Sequence, residues 1–229
     1  MLKKILAPVV LWIEMVIASL GFPGIVWLMA IESACIPLPS EVIMPFAGYN
    51  IVKGHMAFAL GSWQVTHVGW NLFLAGVAGA LGCVLGSAVA YWVGIKGGRP
   101  FIQKYGKYAL IRMRDIDRSD RWFQKWGDSA IFFSRLMPVV RTFISLPAGI
   151  ARMPFWRFSL LTFLGSVPWC WFLAWIGAYL GQREGDFQKV YEQLHQYFHG
   201  VDIVILAVLA GLFAFWLWHH LKPDAEEAG

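Results

Sequence analysis

Four ionisable side chains stand in stretches that are otherwise apolar. Glu32 and Glu41 lie in IESACIPLPSEVIMPFAGY (31–49), and Arg135 and Arg141 lie in FFSRLMPVVRTFISLPAGIARMPFWRF (132–158). Guanidinium forks match phosphate oxygens in pairs, so two arginines at one place suit a phosphate group. Carboxyls in an apolar setting suit proton uptake and release. The bland alternative is a set of static ion pairs that holds the chain together. Arginine in hydrocarbon costs roughly 2.5–3.5 kcal/mol even on mild scales, which favours a functional reading.

The elements that carry these groups cannot be plain spanning helices. Pro37 and Pro39 separate the acids, and Pro138 separates the arginines. Proline removes a backbone donor and breaks the helical ladder. Broken backbone at membrane depth persists only where protein covers it or where it lines a cavity. The expected form is a re-entrant hairpin for each stretch, with Pro37, Pro39 and Gly48 near the tip and exit of the first. Pro138, Thr142 and Gly149 hold the corresponding places in the second.

The two stretches also resemble each other. At an offset of 101 residues, Ser33, Pro37, Ile43 and Ala47-Gly48 fall on Ser134, Pro138, Ile144 and Ala148-Gly149. At an offset of 83, LGCVLGSAVAYWVGIKGG (81–98) falls on LGSVPWCWFLAWIGAYLG (164–181). The reading is a duplicated unit of hairpin plus helix, one copy acidic and one basic, as in transporters built from repeats.

Composition sets the class. The chain has 229 residues, 58% hydrophobic and 14% charged, with a mean hydropathy of +0.56. That describes an all-α polytopic membrane protein of one domain, residues 1–229. The 13 Trp and 17 Phe suit lipid-facing and interfacial surfaces. Repeat 1 is expected over 21–95, a basic segment over 96–126, repeat 2 over 127–181, and an amphipathic helix with a last span over 182–220. The net charge of +5 is concentrated between Lys96 and Asp128, where basic residues outnumber aspartates nine to four. The positive-inside rule places that segment, and both termini, in the cytoplasm. Topology accounts for the basic segment without nucleic acid. Cys35, Cys83 and Cys170 show no metal-ligand spacing, so neither a disulfide framework nor a metal is indicated, and no cofactor is expected.

In chain order, 5–20 is a short helix that spans or lies in the interface, ended by Gly21-Phe-Pro-Gly24. No cleavage site of a signal peptide stands out before Gly21. The connection 51–66 and His67 are expected at an interface, with His55 solvated. Gly69–Ile95 is a helix whose Gly76, Gly79, Gly82 and Gly86 admit close neighbours, with Tyr91 and Trp92 marking its cytoplasmic end. Asp128 is expected as a helix cap. A helix over 158–180 is expected to kink at Pro168. Residues 183–199 read as an interfacial amphipathic helix and 201–218 as the last span.

Three motifs make this chain similar to the DedA family, which shares the VTT domain with eukaryotic lipid scramblases. Glu32-Ser-x-x-x-Pro37-x-Pro39-Ser40-Glu41, running on to Ala47-Gly48, resembles its acidic hairpin. Gly82-x-x-x-Gly86-x-x-x-x-Tyr91-x-x-Gly94 resembles its glycine-rich helix. Phe133-x-Arg135-x-x-Pro138-x-x-Arg141-Thr142, then Ala148-Gly149-x-x-x-Met153 and Phe158, resembles its basic hairpin. The resemblance covers about residues 20–181. It implies opposed re-entrant hairpins in an inverted repeat, and movement of lipids or small solutes across a bacterial inner membrane. Bacterial relatives are implicated in recycling undecaprenyl phosphate, in distributing phosphatidylethanolamine between leaflets, and in proton-motive-force-dependent resistance. It also implies that the family's paired acids and arginines are Glu32, Glu41, Arg135 and Arg141. One departure is that some members place the second acid as Asp, further from the first, whereas here it is Glu41 after Pro-Leu-Pro-Ser.

The expected function is a flippase for a phosphate-bearing lipid, of the undecaprenyl phosphate or phosphatidylethanolamine type, driven by protons. Arg135 and Arg141 bind phosphate, and Glu32 and Glu41 carry protons. An uncoupled scramblase, a small-solute transporter and a membrane scaffold are the alternatives. Without HExxH, GxSxG or a histidine near the arginines, an enzyme is not expected.

Overall fold

The computed structural model describes residues 2–34, 40–60, 63–105, 126–137 and 140–183. Residues 184–220 of the expected last segment and most of 96–126 therefore lie outside the described residues, as does Cys35. Eight helices are described: α1 (Leu2–Leu20), α2 (Phe22–Ser33), α3 (Ser40–Val52), α4 (Val68–Tyr105), α5 (126–134), α6 (Val140–Phe143), α7 (Ser145–Ile150) and α8 (Phe155–Arg183). A two-residue antiparallel ladder, β1 (Ala59–Leu60) with β2 (Trp63–Gln64), lies before α4 and pairs Ala59 with Gln64 and Leu60 with Trp63.

Local chemistry explains the boundaries. Gly21 adopts φ +60°, a value that suits glycine, and Pro23 follows in the first turn of α2, where its missing N–H is harmless. Gly54 at φ +75° does the same after α3. The side chain of Asn71, in the first turn of α4, accepts from the Phe58 amide at 2.7 Å and donates to the Val65 carbonyl at 2.8 Å. That clamps the connection between α3 and α4. His55 and His67 are exposed, in keeping with solvated positions.

Two described helices are long and apolar enough to cross a membrane, Val68–Gly97 within α4 and α8. At 1.5 Å per residue they reach about 45 Å and 44 Å, against a hydrocarbon core of about 30 Å. Their outward faces carry Leu81, Leu85, Val89, Leu160, Leu164 and Trp175, all exposed, as suits a lipid-facing surface. The glycines of α4 face inward, as their spacing suggests. A Cβ on Gly86 would fall 2.0 Å from the Ala30 carbonyl oxygen of α2, and one on Gly76 would fall 2.9 Å from Trp171 Cβ of α8.

The two spanning helices exchange partners with the short ones. α3 packs on α8, and α7 packs on α4. A Cβ on Gly48 would meet the Ala174 carbonyl oxygen at 1.9 Å, and a Cβ on Gly149 would meet the Tyr91 carbonyl oxygen at 2.2 Å. Likewise, Gly177 lies against the Pro45 carbonyl and Gly94 against the Leu146 carbonyl. Both pairs of contacts map onto each other under the offsets of 101 and 83 residues.

Several expectations are corrected. α4 runs on to Tyr105, so Tyr91 and Trp92 do not end it. Tyr91 is instead buried, stacked on Phe158 at 4.8 Å, and its hydroxyl donates to the Met153 carbonyl. Asp128 is no cap: it lies inside α5 and pairs with Arg157 of α8. α8 begins at Phe155, three residues before the expected start, with Pro154 preceding it. The arm leaving the second break is two short helices, α6 and α7, rather than one. α7 ends with Arg152 at φ +53°, where the Met153 amide reaches back to the Ala148 carbonyl.

Candidate functional site

The last turn of α2, the start of α3 and the segment from α5 to α6 converge on one buried place. Glu32 sits one residue from the end of α2, and Ser40 opens α3. Arg141 Nη2 donates to both Glu32 Oε1 and Ser40 Oγ, joining parts of the chain 109 and 101 residues apart. Ser40 and Arg141 are equivalent positions under the offset of 101. Glu32 and Arg141 are each 4% exposed, so the pair is shielded from water on every side.

Arg135 is 1% exposed and is held differently. It lies at the turn after α5. Its Nη1 donates to Ser87 Oγ at 2.9 Å and to the Arg141 carbonyl at 3.0 Å. Its Nη2 donates to Ser145 Oγ and Thr162 Oγ1, both at 3.1 Å. The guanidinium also lies 5.8 Å from the centre of the Phe158 ring, a cation–π contact. Among the described residues it has no carboxylate partner. Of these two arginines, only Arg141 has a carboxylate partner among the described residues. The acceptors come from α4, α6, α7 and α8, so one cation ties four elements together.

Glu41 is in the first turn of α3 and half-buried, and it forms no ion pair with another described residue. A carboxylate at that end of a helix is favoured by the helix dipole. Pro37, Pro39 and Pro138 lie outside the described residues, and Thr142 is described only through its backbone, in α6. Gly48 and Gly149 are not at the site; they are the close-packing positions of α3 and α7.

The electrostatics follow from the inventory. Two guanidinium cations and one carboxylate are fully buried, which leaves positive charge in excess. Among the described residues five buried polar side-chain atoms have no partner, and three of them belong to this site: Glu32 Oε2, Arg135 Nε and Arg141 Nε. Such groups are costly when unmet, and an anion arriving between the arginines would meet the two donors. Among the described residues no three His, Cys, Asp or Glu side chains come together for a metal.

Ser87, Ser145 and Thr162 received no role from sequence reasoning, and Ser40 was noted only as part of a motif. The available signal was general: a buried arginine needs oxygen acceptors, and hydroxyls inside apolar helices are the candidates.

The VTT domain family matches residues 38–179. Undecaprenyl phosphate transporter A of Bacillus subtilis (strain 168) is 38% identical over 76% of this chain and 79% of its own length. An uncharacterized membrane protein of the same organism, YkoX, is 39% identical over 86% of this chain and 79% of its own length. A protein of Lactococcus lactis subsp. cremoris named alkaline phosphatase-like is 30% identical over 93% of this chain and 97% of its own length. No solved structure matches. With more than half of the chain matched, and with relatives aligned over most of their length, this chain belongs to the VTT-domain (DedA) family of membrane proteins.

Proposed function

We propose that this protein is a proton-coupled flippase for a lipid-linked phosphate, of the polyprenyl phosphate type, in a bacterial inner membrane. The observation that carries the proposal is the buried pair of Arg141 and Glu32 beside a second buried arginine that has no carboxylate partner among the described residues. An apolar protein gains nothing in stability from such a group that hydrophobic packing could not supply. Buried cations in a membrane protein mark a substrate path. The relative named undecaprenyl phosphate transporter A supports the class of substrate.

In this reading Glu32 occupies the place of the phosphate on Arg141. Protonation of Glu32 removes its charge, and the guanidinium is free to take the lipid phosphate. Deprotonation returns Glu32 to Arg141 and expels the anion. Arg135 adds positive charge and, through the Arg141 carbonyl, fixes the backbone of its neighbour. Ser40 brings the start of α3 beside the same guanidinium. Glu41, one residue on, is the second proton carrier and the one nearer to solvent.

The membrane arrangement we infer is an inverted repeat of two re-entrant hairpins, α2–α3 and α5–α7, each followed by a spanning helix. The reciprocal contacts of Gly48 with α8 and of Gly149 with α4 support it, as does the contact between the equivalent residues Ser40 and Arg141. Equivalent residues meet where a two-fold axis passes. The basic segment 96–126 and both termini lie in the cytoplasm. The name alkaline phosphatase-like is not carried over to this chain, whose described histidines, His55 and His67, are exposed.

Binding of a short-chain prenyl phosphate to the purified protein tests the exchange. Glu32→Gln, which leaves Arg141 without a charged competitor, is expected to bind at least tenfold more tightly at neutral pH than the wild type. Equal affinity in the two proteins would sink the idea that Glu32 and phosphate compete for Arg141.

A further inference from the structure

Arg135 has less to offer an incoming phosphate than its charge suggests. A guanidinium carries five N–H donors, four of them on the two Nη atoms. Nη1 donates to Ser87 Oγ and to the Arg141 carbonyl, and Nη2 donates to Ser145 Oγ and Thr162 Oγ1. The Nη donors are thus used up within the protein, and only Nε is left without a partner among the described residues. We propose that Ser87, Ser145 and Thr162 are positioning residues of the phosphate site. They hold the fork of Arg135 on α4, α7 and α8, and the bond from Arg135 to the Arg141 carbonyl then sets the place from which Arg141 reaches phosphate. The proposal rests on the flippase reading.

One face of α8 is shaped for this. Phe158, Thr162 and Gly165 follow at helical spacing. The Phe158 ring faces the guanidinium, and Thr162 accepts from it. Gly165 leaves room for the stem, since a Cβ there would sit 3.0 Å from Arg135 Cβ and 3.1 Å from its Cγ. The duplicated copy shows what the hydroxyls serve. Under the offset of 101, Ser145 falls on Met44. Under the offset of 83, Ser87 falls on Cys170 and, two residues beyond the matched stretch, Thr162 falls on Gly79. Those three places also meet: a Cβ on Gly79 would lie 2.9 Å from Met44 Sδ and 3.1 Å from Cys170 Sγ. Residues 1–98 contain no arginine, and none of the three places carries a hydroxyl. The same packing therefore forms with sulfur and glycine, and the hydroxyls stand where a guanidinium has to be oriented. Groups ordered before a ligand arrives bind it more tightly, because less freedom is lost on binding.

The test measures binding of a short-chain prenyl phosphate to the full chain in detergent, at a temperature where tryptophan fluorescence shows each variant folded. Thr162→Val removes the hydroxyl and keeps the shape, whereas Thr162→Ser keeps the hydroxyl. Thr162→Val is expected to bind about tenfold more weakly than wild type, the order of one hydrogen bond to a charged group, and Thr162→Ser to bind as wild type does. Ser87→Ala, which acts on the other arm of the fork, should weaken binding in the same way, and it decides the matter if Thr162→Val does not fold. Wild-type affinity in the folded hydroxyl-free variants would show that the cage only braces the helices and would overturn the proposal. Tighter binding would overturn it too, since the cage would then compete with phosphate for Arg135. So would equal losses in Thr162→Val and Thr162→Ser, which would trace the effect to shape. No binding by the wild type would overturn the flippase reading and this proposal with it, a result distinct from wild-type binding that the variants leave unchanged.

Discussion

Substituting alanine at Gly48 and at Gly149 should damage the protein to the same degree, because the two positions make the same contact with opposite spanning helices. A Cβ at Gly48 would sit 1.9 Å from the Ala174 carbonyl oxygen, and one at Gly149 would sit 2.2 Å from that of Tyr91. A carbon needs about 3.3 Å from a carbonyl oxygen, so each helix pair would have to part by about 1.1–1.4 Å. The obstacle is backbone in both cases, so no rotamer change relieves it, and Ala174→Gly would not rescue Gly48→Ala. Overpacking costs about 1–3 kcal/mol, and a rigid backbone neighbour puts both variants near about 3 kcal/mol. For a chain of this size that is a fall in Tm of about 6–12 °C. Gly97→Ala is the internal control. Nothing lies within 4 Å of its Cβ position, and alanine in a helix is favoured over glycine by about 0.5–1 kcal/mol. Intrinsic tryptophan fluorescence during heating in detergent would read all three. Gly48→Ala and Gly149→Ala each melting within 1 °C of wild type, on the order of the noise, would refute the close-packed geometry. A large loss in one and none in the other would refute the equivalence of the two docks.

Arg135→Lys should cost about 3 kcal/mol, since one ammonium cannot reach acceptors on both arms of the guanidinium fork and at least two charge-assisted bonds are lost; denaturation midpoints in detergent would show it. Arg152→Gly should stabilise by about 1 kcal/mol, because an L-residue at φ +53° pays a steric penalty that glycine does not; a lowered or unchanged Tm would contradict this. Asp128→Asn should change stability by less than about 1 kcal/mol, as its pair with Arg157 is 41% and 63% exposed. A large loss of stability there would show that the α5–α8 contact depends on that pair.

The charged residues made the site legible before any coordinates. An arginine and a carboxylate in apolar runs need partners, and Arg141 with Glu32 is the outcome. The offset of 101 pairs Gly48 with Gly149, but both are expected at the hairpin tips, and only the fold shows each docked on a spanning helix. The hydroxyl cage of Arg135 was not legible. Ser87, Ser145 and Thr162 do not stand out in composition or period, and only the fold brings residues 27 and 48 positions away to one guanidinium. The length of α4 was misjudged because Gly97-Gly98-Arg99-Pro100 carries the residues that usually end helices. Asp128 was read as a cap from its neighbour Gly127, whereas its partner Arg157 lies 29 residues away.

The exchange of Glu32 for phosphate on Arg141 is tested most directly by lipid movement in proteoliposomes under an imposed pH gradient. A labelled prenyl phosphate and a labelled phosphatidylethanolamine would be compared in wild type, Arg141→Ala and Glu32→Gln. The expected result is movement of the prenyl phosphate that follows the gradient in wild type, is lost in Arg141→Ala, and no longer responds to the gradient in Glu32→Gln. Movement of both lipids at the same rate with and without the gradient, unchanged in either variant, would contradict a proton-coupled phosphate site at Arg141.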